Sequence, residues 1–146
     1  MPVWVRIKVR RPGESDEVEA SAKVNTGFTV GPLPVIRLPK ALAERLGFNI
    51  EESPEIAGVV DGGGRPLPMR RLGLVEVKIS LPDRETEWVR AVAVYLGPAT
   101  HHILINDALT EKLDIMIIRP LTGLWRLVDD PPDLVRESAR PEYFSS

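Results

Sequence analysis

With 146 residues, 43 % of them apolar and 27 % charged, the chain has the length and composition of one soluble globular domain. A net charge of −2 gives no global pull toward nucleic acid or a membrane surface. No apolar run approaches the roughly 20 residues that span a bilayer, and the N-terminal MPVWVRIKVRR lacks an apolar stretch of signal-peptide length, which points to the cytoplasm. Cysteine is absent, so disulfides, thiolate metal sites and thiol nucleophiles are excluded. Glutamine is absent too, and the 14 prolines are about twice the usual share, a composition that fits a thermophile's protein.

The first element is VWVRIKVRR, which alternates Val3, Val5, Ile7 and Val9 with Trp4, Arg6, Lys8 and Arg10, the pattern of a half-buried strand. RPGESDE supplies turn chemistry before Val18, Ala20, Ala22 and Val24 resume period two, so the first two strands form a hairpin that ends at Asn25. GPLPVIRLP is extended. Pro39 then opens a short helix, KALAERL, with Leu42 and Leu46 one turn apart and Gly47 placed to end it.

EIAGVVDGGGRPLPMRRLGLVEVKISL has two alternating arms around Asp61, Gly62, Gly63 and Gly64, which predicts a long hairpin with a mobile tip. EWVRAVAVYLG is a further strand, apolar enough to be covered on both faces. In HHILINDALTEKLDIMII a short apolar strand precedes a brief helix that either Asn106 or Asp107 can cap, with Leu109 and Leu113 on its inner stripe. DIMII and LWRLV are two short strands. After Val128 the composition shifts to DDPPDLVRESARPEYFSS, so residues 1–128 form the domain and residues 129–146 a tail or docking arm. Seven or eight strands and two short helices make an all-β domain.

This order of parts resembles the retropepsin-like, retroviral-type aspartic proteases over about residues 3–128. AKVNTGFT is similar to that family's Asp-Thr-Gly-(Ala/Ser)-(Ser/Thr) loop, with a small-apolar strand before it. VIRLPKALAERLGF resembles the segment after the loop, the glycine-tipped hairpin occupies the flap position, and HHILINDALTEKLDI looks like the strand, turn and helix beneath the active site. The resemblance implies a single-domain acid-protease barrel that works as a homodimer without cofactor or metal, on extended peptide or unfolded protein.

Residue by residue, the resemblance puts Asn25 at the position of the catalytic aspartate. It makes Thr26 the tie between two loops, Gly27 the point of close backbone approach and Thr29 a hydrogen-bond partner of the catalytic group. Phe28 stands where Ala or Ser is usual and narrows the substrate channel, while Asp61 to Gly64 line it from the flap. Ile105 stands where the family's late turn has glycine. Peptide hydrolysis of this type needs two carboxylates sharing one proton. An amide does not ionise in the working range and cannot take a proton from water, so the Asn25 form is inert as sequenced. The asparagine fits two histories, a natural peptide-binding pseudoprotease or an enzyme disarmed on purpose. No second Asp-Thr-Gly or Asp-Ser-Gly occurs, so two loops require two chains.

Other candidates carry less. Asp107 is a helix-cap residue. His101 and His102 are adjacent and on a strand face opposite ways, which prevents joint chelation of a metal. Arg6, Lys8, Arg10 and Arg11 form the charged solvent face of an exposed strand rather than a nucleic-acid stripe. DGGGRP lacks the lysine and helix of a phosphate loop.

Overall fold

A computed structural model describes residues 2–24, 32–56, 60–97 and 100–145. Among the described residues are eight strands, β1 (Trp4–Arg10), β2 (Glu17–Val24), β3 (Val35–Arg37), β4 (Met69–Ile79), β5 (Val89–Leu96), β6 (Ile103–Ile105), β7 (Ile115–Arg119) and β8 (Leu124–Leu127). Two six-residue helices, α1 (Lys40–Arg45) and α2 (Asp107–Lys112), complete the set. The fold is all-β. Six strands close a barrel in the order β1-β2-β6-β3-β5-β4, and β7 and β8 form a separate two-stranded sheet.

The alternation seen in the sequence sets which side chains enter the barrel. Val5, Ile7 and Val9 of β1 face inward with Val18, Ala20 and Ala22 of β2, and all are buried. The hairpin register pairs Ile7 with Ala20 and Val5 with Ala22, so large residues meet small ones across that part of the seam. Ile36, Val75, Val77, Ile79, Ala93, Ile103 and Ile105 close the same core from the other strands. At about 25 cal/mol per Å² of apolar surface removed from water, this packing is the main stabilising term.

β1 is not an exposed strand, contrary to the sequence expectation. It pairs with β2 on one side and β4 on the other. Its basic side chains meet carboxylates on the neighbouring strands and turn: Arg6 with Glu19, Lys8 with Glu17 and Glu85, Arg10 with Glu76. Arg10 also lies 4.0 Å from the centroid of the Trp88 ring. Arg11 stacks over Phe48. Trp4, the one aromatic in this charged row, is buried rather than solvated.

What buries it is the segment after Val128. Arg136 exchanges backbone hydrogen bonds with Trp125 of β8, Ala139 N–H donates to Trp4 O at 2.8 Å, and Phe144 N–H donates to His101 O. Residues 129–145 thus run back across the outer face of the barrel.

Both helices are too short to persist alone and are held by their ends. In α1, Leu42 and Ala43 are buried, and Gly47 sits just past the helix at φ +93, a conformation that favours glycine. In α2 the cap is Asn106, not Asp107: the Asn106 side chain accepts from Leu109 N–H at 3.0 Å, while Asp107 is exposed in the first turn. Leu109 and Leu113 are buried as the pattern predicted.

Asn106→Ala is expected to lower unfolding stability by about 3 kcal/mol, because it removes a cap and leaves further buried groups unpaired. Asp107→Ala is expected to cost less than about 1 kcal/mol, the value of an exposed charge at a helix start. Urea denaturation of the two variants checks this, and equal losses would contradict the assignment of the cap.

Candidate functional site

The strand order contains the feature that organises the site. β2 and β3 are consecutive in the chain but do not touch; β6 lies between them, parallel to β2 and antiparallel to β3. The segment 25–31 therefore has its two stems on either side of the end of β6. Val24, the last residue of β2, pairs with Ile105 and donates its N–H to Val3 O at 2.9 Å. On the far stem Ile36 pairs with the same Ile105. Asn25, Thr26, Gly27, Phe28 and Thr29, the residues singled out from the sequence, lie outside the described residues.

Asn106 follows Ile105 directly and fixes the far stem. Its Oδ1 accepts from Val35 N–H at 2.9 Å as well as from Leu109 N–H, and its Nδ2 donates to Leu33 O at 2.8 Å. The residue is 1 % exposed, and both its amide oxygen and its amide nitrogen are hydrogen-bonded, which buried amides require. Its carbonyl also accepts from the Thr110 hydroxyl at 2.8 Å. One side chain thus joins the chain leaving the loop to the start of α2.

The hairpin between Glu55 and Arg70 stands on the same stem. Its root residue Ile56 packs on a small buried cluster of Val35, Met69 and Val94, and Ile56 N–H donates to Met69 O at 2.8 Å. Val35 therefore holds the loop stem through its backbone and the hairpin root through its side chain. Glu55 pairs with Arg70, and Val60 with Pro66, as antiparallel bridges.

The tip has more internal order than its composition suggests. Asp61, Gly62, Gly63 and Gly64 are all exposed, and the Asp61 carboxylate accepts from Gly63 N–H at 2.8 Å and from Arg65 N–H at 2.9 Å. This is local turn capping by a short acidic side chain. Gly64 sits at φ +81, where a side chain is strained, whereas a Cβ at Gly62 would meet open space.

His101 and His102 diverge. His101 is exposed, with its Nδ1 3.2 Å from Phe144 O. His102 packs against Trp4 and Tyr143 with ring centroids 5.5 and 5.7 Å away. Arg37 of β3 donates to the His102 carbonyl at 3.1 Å, and its buried Nε has no hydrogen-bond partner. Burial draws Arg37 down to about 10. The His102 imidazole is pushed down to about 4, first by burial and then by the charges of Arg37, Lys23 and His101. Among the described residues, no group of His, Asp and Glu is arranged to hold a metal ion.

No protein-family model matches the chain, and no curated protein matches it. Among solved structures it is similar to the retroviral protease-like domain of Ddi1 from Leishmania major, with a TM-score of 0.47 and 16 % sequence identity, over 92 % of this chain and 100 % of that one. No helix among the described residues is long and apolar enough to cross a membrane.

Asp61→Ala is expected to loosen the hairpin tip without unfolding the barrel. Exchange of the Asp61 amide, which donates to Arg65 O, should quicken about fivefold for a loss near 1 kcal/mol, while β5 amides keep their rates. An unchanged tip would show that the carboxylate does not hold the turn.

Proposed function

We propose that the chain is a retropepsin-like aspartic endopeptidase domain in an inactive Asn25 form, acting as a homodimer on extended or unfolded polypeptide. The observation that carries this is the placement of β6 between β2 and β3. It sets the stems of the Asn-Thr-Gly segment on either side of one strand end, with a glycine-tipped hairpin rooted on the same stem. In the proposed dimer the two-fold axis passes between the Asn25 segments, and Thr26 lies near its centre in an isologous contact.

With aspartate at position 25, one carboxylate of the pair takes a proton from water as the water attacks the peptide carbonyl. The other donates a proton to the carbonyl oxygen. Like charges held close cannot both ionise easily, so the pair titrates as a unit with one step below and one above the free value near 3.9. Asparagine keeps the shape of the side chain and loses this exchange of protons. It still offers an acceptor and two N–H donors to a peptide, so the same residue favours a second reading, a dimeric peptide-binding module without catalysis.

Asn25→Asp is expected to create peptidase activity toward an unfolded protein, with a bell-shaped profile within roughly pH 3 to 6. That activity should be blocked by a transition-state mimic such as pepstatin and absent from the Asn25 form assayed beside it. A folded, dimeric Asn25→Asp variant that cuts nothing across that range would overturn the endopeptidase reading in favour of the binding module.

A further inference from the structure

The segment after Val128 is held to the barrel at two places of different chemistry. At its root, Arg136 donates to both oxygens of Asp130 and to both oxygens of Asp83, all within 2.8–2.9 Å. Asp130 also accepts from Leu127 N–H at 2.8 Å and pairs with Arg84, which reaches Asp129 as well. Arg126 of β8 adds a bond to the Asp130 carbonyl. These contacts join the segment to the turn between β4 and β5 and to β8.

At its far end the contacts are different. Ser138 Oγ accepts from Trp4 N–H at 3.0 Å, Ala139 N–H reaches Trp4 O, and Phe144 N–H reaches His101 O. The Glu142 carboxylate accepts from Ser21 N–H and pairs with Arg6. Tyr143 completes a three-ring cluster with Trp4 and His102. The charged groups acting on His102 are Arg37 from β3, Lys23 from β2 and the neighbouring His101. From β1 and from the segment itself the ring meets the neutral faces of Trp4 and Tyr143. Among the described residues, no carboxylate is one of the groups that act on this imidazole.

We propose that residues 137–145 are an acid-released strap: protonation of His102 detaches this end from the barrel while Arg136 still anchors the root. A proton on His102 puts a third cation beside Lys23 and Arg37, whose Nη2 lies 3.4 Å from the ring Nε2, and the half-buried ring gains water when Tyr143 leaves its edge. The direction follows from linkage. Docked, the imidazole is pushed down to about 4; undocking removes the share of its burial that Tyr143 supplies, leaves Arg37 and Lys23 in place, and so moves it back toward its ordinary value of 6.5. Docking is therefore strongest above pH 6.5 and weakens as pH falls from 6.5 toward 4. The root behaves otherwise. Arg136 holds Asp130 and Asp83 below the usual carboxylate range, so its ion pairs outlast the far end on acidification. Release uncovers Trp4, whose neighbour Val3 bonds Val24 at the stem of the 25–31 segment. The release stands independently of any catalysis at that stem.

The test is amide hydrogen exchange of the full chain at pH 7.5 and 5.0, corrected for the intrinsic pH dependence of exchange. The amides of Ala139 and Phe144 are expected to lose about tenfold in protection at pH 5.0, allowing for partial solvent screening of the ring. The Arg136 amide should keep its protection, and His102→Phe, which retains the ring without the proton, should abolish the change. Equal protection of Ala139 and Phe144 at the two pH values, or the same loss in His102→Phe, overturns the proposal. A measurement on the unmodified chain guards against a variant that does not fold: the His102 ring signal in NMR is expected to titrate well below 6.5. Titration at 6.5 or above would overturn the proposal equally.

Discussion

The Asn106 side chain ties together parts of the chain that sequence keeps far apart. Its amide oxygen accepts from Val35 and Leu109 and its amide nitrogen donates to Leu33, in a place that water does not reach. In such surroundings an unmet backbone group costs more than a made bond returns, so the three contacts hold or fail together. Through them α2 is started, β3 is set against β6, and the far stem of the 25–31 segment is fixed. The same stem, through the Val35 side chain, supports the root of the glycine-tipped hairpin. The stem of the 25–31 segment, a glycine-tipped hairpin and a helix thereby share one support, which is the arrangement a site needs when its parts must keep register with one another.

The outer face of the barrel is governed by charge rather than by packing. Along β1 each cation finds a carboxylate on a neighbouring strand or turn, and these partly exposed pairs contribute little stability each. Their effect is to let a strand with basic side chains sit between two others without repulsion. Arg37 and Lys23 differ: among the described residues no carboxylate pairs with Arg37, and both cations raise the cost of a proton on His102. That local excess of positive charge under an aromatic cover is the physical basis of the proposed strap.

Much of the fold was legible in the sequence because it rests on local signals. Period-two alternation gave β1, β2 and the hairpin between them, and Leu109 and Leu113 marked the buried side of α2. What depended on distant contacts was not legible. β1 read as an exposed strand because its alternating arginines and lysines look solvated until Glu19, Glu76 and Glu85 are brought beside them. Trp4 carried the one available clue: a large aromatic in a row of charges implies a cover, and residues 138–144 are that cover. Between Asn106 and Asp107 the sequence offered two good caps, and only the extra bonds to Leu33 and Val35 decide for Asn106. Of the candidate site, the residues from Asp61 to Gly64 are exposed at a hairpin tip as expected, while Asn25 to Thr29 rest on the motif alone.

The central claim of the proposed function is that two copies bring their Asn25 segments face to face across a two-fold axis. The chain has no cysteine, so a single Thr26→Cys substitution places one thiol per chain at the proposed centre of contact. Under mild oxidation in dilute solution, the account predicts rapid and nearly complete disulfide-linked dimer, with Ser15→Cys in the exposed turn between β1 and β2, at the other end of β2 from Val24, as a control that stays monomeric on denaturing gels. A Thr26→Cys chain that is folded but cross-links no faster than the control would contradict the two-fold site.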